Sequence, residues 1–214
     1  MSLLNLKNIR REYNLKGLSK NNIDPDPFKQ FVVWLKEAMD SSNPEPTAMT
    51  LSTVSASGRP SSRIVLLKHA SEYSFDFFTN YQSKKGKHLK DKPFASLHFF
   101  WPELERQVRI EGQIEKMDPK ESDEYFSTRP VESQIGAWAS PQSTIVPNRK
   151  TLIDWYEEFE EIFKSTAMTR PTHWGGYRLI PDLFEFWQGR EKRLHDRIEY
   201  RDEKDGWAIH RLAP

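Results

Sequence analysis

The 214-residue chain predicts a mainly antiparallel β-barrel with helices outside it, and three observations carry that expectation. Short stretches rich in β-branched and aromatic residues follow one another with few helical crossovers between them. Residues 107–116 alternate, with Val108, Ile110, Gly112 and Ile114 facing one way and Gln107, Arg109, Glu111 and Gln113 the other. Turn-forming residues separate the stretches, as in Ala56-Ser57-Gly58-Arg59-Pro60. A Rossmann sheet, which alternates strands with helices, does not fit this order.

Taken in order, residues 1–25 are polar and read as an arm. A helix is predicted from Asp26-Pro27, an N-cap followed by proline at the first position. Phe28, Phe31, Val32, Trp34, Leu35 and Met39 then recur at helical spacing until Ser41-Ser42-Asn43-Pro44. Strands are predicted at 48–55, 61–68, 74–79, 95–101 and 107–116, with a short helix over 83–90. Two more helices are predicted, from Asp118-Pro119 towards Thr128 and from about Asn148 to Lys164. The tail, 174–212, returns to short strands divided by Pro181, Gly189 and Asp205-Gly206. This organisation gives one domain over 26–214 preceded by the arm.

Composition removes several function classes. Net charge is +1, from 32 basic and 31 acidic residues, so no bulk field draws nucleic acid or membrane. An anion must be held by a local cluster. The chain has no cysteine, which removes disulfides, thiolate-bound metals and thiol catalysis. Only 36% of residues are hydrophobic, but 13 Phe, 7 Tyr and 7 Trp bury large areas each. No apolar run approaches the roughly 20 residues that span a bilayer, and the first residues do not resemble a signal peptide. A cytoplasmic address is the expectation. Gly-x-Gly-x-x-Gly and Gly-x-Ser-x-Gly are absent, and 83–88 lacks the residues of a Walker loop. The six histidines show no metal spacing, so no metal site is expected.

Four stretches could carry chemistry. Arg63-Ile64-Val65-Leu66-Leu67-Lys68 is an apolar strand with a cation at each end. It reads either as a core strand with snorkelling ends or as a strand laid along a flat ligand. Regular alternation puts Arg63 and Lys68 on opposite faces, so one shared site needs a bulge or two anions. Lys84 and Lys85 open a predicted helix and oppose its dipole; an anion there would relieve the conflict, and a solvated lysine run is the plain alternative. Tyr125, Arg129 and Ser133 offer a phenol, a guanidinium and a hydroxyl suited to a phosphate ester, or an ordinary helix end. Strand alternation over Arg193-Leu194-His195-Asp196-Arg197 predicts Arg193, His195 and Arg197 on one face, beside the aromatic Phe186-Trp187. Separate anion clusters in a nearly neutral chain suit two phosphorylated small molecules better than a polymer.

At Arg63-Ile-Val-Leu-Leu-Lys68, Glu105-Arg-Gln107-Val, Ser133-Gln-Ile-Gly-Ala-Trp138, Phe186-Trp187-Gln-Gly189, Arg193-Leu-His195-Asp-Arg197 and the ending Arg211-Leu-Ala-Pro214, the chain resembles the pyridoxamine/pyridoxine 5'-phosphate oxidase family. The resemblance runs in one order from Arg10 to the C-terminus. It implies an FMN-binding split β-barrel that dimerises, with FMN at the dimer interface. It also implies oxidation of pyridoxamine 5'-phosphate or pyridoxine 5'-phosphate to pyridoxal 5'-phosphate, with dioxygen reduced to hydrogen peroxide.

By that resemblance Arg63, Lys84 and Lys85 serve the FMN phosphate, and the backbone from Ile64 through Val65 and Leu66 to Leu67 runs beside the flavin. Lys68, Phe78, Thr79, Gln107, Gln142, Ser143, Trp187 and Arg197 complete the FMN shell. Lys68, Tyr125, Arg129 and Ser133 hold the substrate phosphate, while Arg193 and His195 meet the pyridine ring as the catalytic pair. Arg10 and Tyr13 close over the substrate from the arm. Phe78 stands where a tyrosine is usual and Lys84 where an arginine is usual, so one hydroxyl and one bidentate fork are missing. The alternative within the same fold is a split-barrel FMN or haem binder that is no oxidase, and outside it an interaction module with basic patches.

Overall fold

The computed structural model describes Glu12, Tyr13, Leu15 and residues 17–214; Arg10 and most of the arm's first sixteen residues lie outside it. Among the described residues nine strands are present: β1 (Ala48–Val54), β2 (Pro60–Leu66), β3 (His69–Ala70), β4 (Phe75–Asn80), β5 (Phe94–Trp101), β6 (Arg106–Lys116), β7 (Trp174–Gln188), β8 (Asp196–Glu203) and β9 (Gly206–Leu212). They hydrogen-bond in the order β2-β1-β5-β6-β7-β4-β3, with β8 between β7 and β9. The β1–β2, β1–β5, β3–β4, β4–β7, β7–β8 and β8–β9 pairings are antiparallel, as in Val54↔Pro60 across the β1–β2 turn and Trp187↔Arg197 between β7 and β8. Five α-helices of the described residues accompany them: α1 (Pro27–Met39), α2 (Lys84–Asp91), α3 (Pro119–Ser127), α4 (Val131–Ala139) and α5 (Arg149–Phe163). None of the described helices is long and apolar enough to cross a membrane. The expectation of a mainly antiparallel β fold is met.

The chain forms two compact units. One contains the described residues up to Pro46, Phe99–Arg109 and Leu183–Pro214. Its α1 starts where expected, with the Asp26 carboxylate accepting the Phe28 N–H at 2.9 Å. Phe31 of α1 packs on Phe99 with ring centres 5.1 Å apart, and Trp34 meets Phe186 edge-on at 5.2 Å. The buried stripe differs from the predicted one. Met39 is 59% exposed, while Ala38 is fully buried in its place. Arg106 is also buried, which the sequence did not suggest. Its guanidinium lies over Trp34 at 4.3 Å, pairs with Glu37 and donates from Nε to Gln188 at 2.9 Å.

The other unit contains Thr47–His98 and Ile110–Asp182. Gly58 carries the positive φ of 84° that the β1–β2 turn requires. Alternation in β6 is as predicted: Val108, Ile110, Gly112 and Ile114 are buried. A Cβ on Gly112 would sit 2.0 Å from the Ile180 carbonyl oxygen, so only glycine lets β7 pass there. Pro181 does not end β7. It falls between the ladder to β4, which stops at Leu179, and the ladder to β8, which starts at Leu183, so its missing N–H breaks neither. Helix α4 was not foreseen, because Arg129-Pro130 read as a terminus; Pro130 instead caps the new helix. Helix α5 has no buried residue and is held through Trp138, whose ring lies 5.9 Å from Phe159 and 5.8 Å from Phe163.

Candidate functional site

The second unit encloses a cavity of about 640 Å³. Its walls bring together Arg63, Ile64, Val65, Leu66, Lys68, Phe78, Thr79, Lys84, Lys85, Tyr125, Arg129, Gln142 and Ser143, all singled out in the sequence. Strand β2 supplies the first four. The strand ends at Leu66, so Lys68 escapes strand alternation and lines the same cavity as Arg63. Leu67 does not line it; its side chain is 5% exposed in the core and its N–H is taken by Thr47 at 2.9 Å.

Charge in this cavity is one-sided. Among the described residues, five cations line it, Arg63, Lys68, Lys84, Lys85 and Arg129, and no carboxylate does. Arg63 is held from β1 and β2, donating to the Leu51 carbonyl (2.9 Å), Thr53 Oγ1 (2.8 Å) and Ser61 Oγ (2.9 Å). Burial holds its pKa below the usual arginine value. Lys85 is buried on the first turn of α2 and gives its protons to neutral oxygens: Gln142 Oε1 (2.6 Å), Thr79 Oγ1 (3.0 Å) and Ser83 Oγ (3.3 Å). Burial, reinforced by the Arg63 charge, pushes its pKa down to about 8. The α2 N-terminus approaches its neighbour closely, since a Cβ on Gly86 would meet the Tyr81 carbonyl oxygen at 2.1 Å.

The far wall is aromatic. Phe78 stacks on Tyr125 with ring centres 3.9 Å apart and on Trp174 at 5.5 Å. Burial raises the Tyr125 pKa, so its phenol is a neutral donor. The Arg129 guanidinium lies 4.5 Å above the Trp174 ring, and its Nη1 is buried with no hydrogen-bond partner. Gln134 fixes the Arg129 backbone by donating to its carbonyl at 2.8 Å. Ser133, predicted beside these groups, sits in the first turn of α4 and does not line the cavity.

The remaining candidates, Tyr13, Gln107, Trp187, Arg193, His195 and Arg197, belong to the first unit. Tyr13 meets Trp187 and His195 edge-on, each with ring centres 5.6 Å apart, and Trp187 lies 4.7 Å from His195. The Arg190 N–H donates to His195 Nδ1 at 3.1 Å, which places the imidazole proton on Nε2. Burial and the neighbouring Arg193 lower the His195 pKa and keep the ring neutral.

The predicted common face for Arg193, His195 and Arg197 is not formed. Lys192 and Arg193 take positive φ of 56° and 60°, and β8 begins only at Asp196. Arg197 is ion-paired: Glu185 accepts from its Nε at 2.8 Å and from Arg109 Nη2 at 2.5 Å. Burial alone would raise the Glu185 pKa, but these two donors outweigh it and hold the carboxyl below the ordinary range. Two consecutive non-glycine residues in the left-handed region are costly, and they interrupt the alternation that a common face requires.

A family profile described as Pyridoxamine 5'-phosphate oxidase matches residues 35–163, and another, described as Pyridoxine 5'-phosphate oxidase C-terminal dimerisation region, matches residues 174–214. The chain belongs to the pyridoxine/pyridoxamine 5'-phosphate oxidase family. A pyridoxine/pyridoxamine 5'-phosphate oxidase of Paraburkholderia phymatum is 53% identical over 210 residues, 98% of this chain and 99% of the relative. One from Paraburkholderia xenovorans is 50% identical over 214 residues, 99% of this chain and 100% of the relative. Among solved structures, PhzG from Burkholderia lata, in complex with tetrahydrophenazine-1-carboxylic acid, gives a TM-score of 0.88 at 28% identity, covering 95% of this chain and 100% of its own. A pyridoxamine 5'-phosphate oxidase-related, FMN binding protein of Nostoc punctiforme shares the fold, with a TM-score of 0.69 at 15% identity over 88% of this chain and 98% of its own.

Within this oxidase family, the two departures noted in the sequence fall in the cavity wall. Phe78 is the middle ring of its aromatic stack, and Lys84 lies on the exposed side of α2. Three lining residues were missed: Ser61, Ser62 and Trp174. Trp174 had one legible signal, its position before Gly175-Gly176 at the head of a strand. The serines had none.

Proposed function

We propose that the chain oxidises pyridoxamine 5'-phosphate and pyridoxine 5'-phosphate to pyridoxal 5'-phosphate, with FMN as hydride acceptor and dioxygen as final oxidant. The observation that carries this reading is the cavity lined by five cations and no carboxylate, with one buried guanidinium N–H left unpaired. Such a wall fits phosphate esters. Its volume of about 640 Å³ lies within the roughly 300–1,000 Å³ of small-molecule sites.

FMN, when bound, supplies the hydride acceptor. The chain's own residues bind and orient. Arg63, Lys84 and Lys85 hold the FMN phosphate, beside Thr79, Gln142 and Ser143. The β2 backbone from Ile64 to Leu66, with Phe78, would flank the flavin ring system. Lys68, Tyr125 and Arg129 take the substrate phosphate, so remote binding orients the reacting carbon. Arg193 aligns the substrate, and His195, with its proton on Nε2, donates a hydrogen bond or relays a proton. Gln107, Trp187 and Arg197 complete the flavin shell, and Tyr13, with Arg10, covers the substrate. The chain works as a homodimer, in keeping with its matched dimerisation region, and its proposed address is the cytoplasm.

The test is anaerobic mixing of FMN-loaded protein with pyridoxine 5'-phosphate while the visible flavin band is followed. Bleaching that reverses in air, with pyridoxal 5'-phosphate formed, supports the reading. A flavin that binds but bleaches with neither phosphorylated substrate sinks it. PhzG holds tetrahydrophenazine-1-carboxylic acid, and that likeness favours a second reading in which this site takes a ring carboxylic acid in place of a phosphate ester. Bleaching by such an acid, with none by the phosphate esters, would establish it.

A further inference from the structure

Lys85 differs from the other lysines of the cavity. Lys68 and Lys84 are exposed, whereas Lys85 is 8% exposed with its Nζ held by neutral oxygens alone. No carboxylate stabilises its protonated form, and Arg63 opposes it. An amine of this kind reaches its uncharged, nucleophilic state near neutral pH, which an exposed lysine does not. In the same cavity, Arg129 Nη1 is buried without a partner and offers a seat for a phosphate. The same cavity therefore holds a buried amine without a carboxylate partner and a guanidinium N–H without an acceptor.

We propose that Lys85 is a covalent acceptor for a phosphorylated aromatic aldehyde, and that this adduct and FMN exclude one another. The free electron pair of Nζ attacks the aldehyde carbon, forming the C–N bond. A proton passes from nitrogen to the former carbonyl oxygen, water leaves, and a C=N bond remains. The sum is amine plus aldehyde giving imine plus water, with nothing oxidised or reduced. Thr79 and Gln142, already in contact with Nζ, orient the amine for attack.

The aldehyde of interest is the product of the proposed oxidation, so the physiological meaning rests on that reading. The product then competes with the cofactor for newly made chain, a brake on loading and not on turnover.

The test needs no turnover. Full-length chain stripped of flavin is incubated with pyridoxal 5'-phosphate, reduced with borohydride to fix the imine, and mapped by peptide mass. The expected label falls on Lys85, disappears when FMN is added first, and disappears in Lys85→Arg, which keeps the charge but cannot form the imine. Unphosphorylated pyridoxal is expected to label the position weakly. Label scattered over exposed lysines, unchanged by Lys85→Arg, overturns the proposal, as does Lys85 labelling that FMN leaves unaltered. Anaerobic flavin bleaching reports separately on the oxidase reading.

Discussion

Arg129 rests on the Trp174 ring at 4.5 Å while its Nη1 points, buried and unpaired, at no group of the described chain. An unmet buried donor is unfavourable by about 1–3 kcal/mol. An anion that satisfies it therefore recovers a cost already present in the fold.

Trp174→Leu is expected to loosen Arg129 and Tyr125 together. A lost cation–π contact of ~1 kcal/mol corresponds to about fivefold. We expect KM for the phosphorylated substrate to rise by that order with kcat nearly unchanged, and Trp174→Phe to restore most of it. An equal fall in kcat would show instead that Trp174 acts on the reacting carbon.

Lys85 gives a pH dependence whose sign can be worked out. Its pKa is lowered from 10.5 to about 8 in the folded chain. The unfolded chain therefore holds the extra proton between these values, and folding becomes more favourable as pH rises through that window. Below pH 8 the buried charge is a full cost. Lys85→Met should raise the Tm of ligand-free chain at pH 7, and the gain should shrink by pH 10. FMN affinity should move oppositely, weakening as pH climbs past about 8 and the amine loses its charge. Titrations by flavin fluorescence quenching would reveal a flat profile if Lys85 does not meet the phosphate.

Glu185 is the reverse case. Its folded pKa is depressed, so its contribution is present above the ordinary carboxylate range and is lost as pH falls through the folded value. Glu185→Gln leaves Arg109 and Arg197 without their shared counter-ion. Both arginines are partly exposed, so a destabilisation of ~1–3 kcal/mol is expected at neutral pH. Denaturant melts should show that difference narrowing in acid, where the native carboxyl is itself protonated.

Gly189 is packed by Tyr13. A Cβ there would lie 2.8 Å from the tyrosine ring. Its φ is not in the positive range, so Gly189→Ala strains contacts and not backbone. We expect Tyr13 to be displaced from Trp187, visible as a change in tryptophan emission, with stability lowered by ~1–3 kcal/mol. Unchanged emission and unchanged KM would mean that this end of the arm has no part in the site.

Which parts were legible in sequence follows from the physics of each element. Period-two burial in β6 and the Asp26-Pro27 cap of α1 are local signals, and both were readable. The cavity was readable from local clusters at Lys84-Lys85, Arg63 to Lys68 and Tyr125 with Arg129, whereas Phe78, Thr79, Gln142 and Ser143 were reached only through the family resemblance. Trp174 joins Arg129 from 45 residues away, so no local pattern announces it. Arg193 was misplaced because strand alternation assumes regular backbone, and two left-handed residues interrupt it. Pro181 was misread as a stop because its effect depends on where the partner ladders end.

The five gathered cations bear on the lifetime of the chain as well as on its chemistry. Like charges that close together repel, and only folding assembles them. An anion that enters binds the folded form alone, and at a hundred times its dissociation constant it adds ~2.7 kcal/mol to folding. Resistance to heat and to proteolysis should therefore follow the supply of phosphorylated ligand. A cell short of flavin would contain fewer copies of this chain, since turnover of the unliganded form would outpace its rescue.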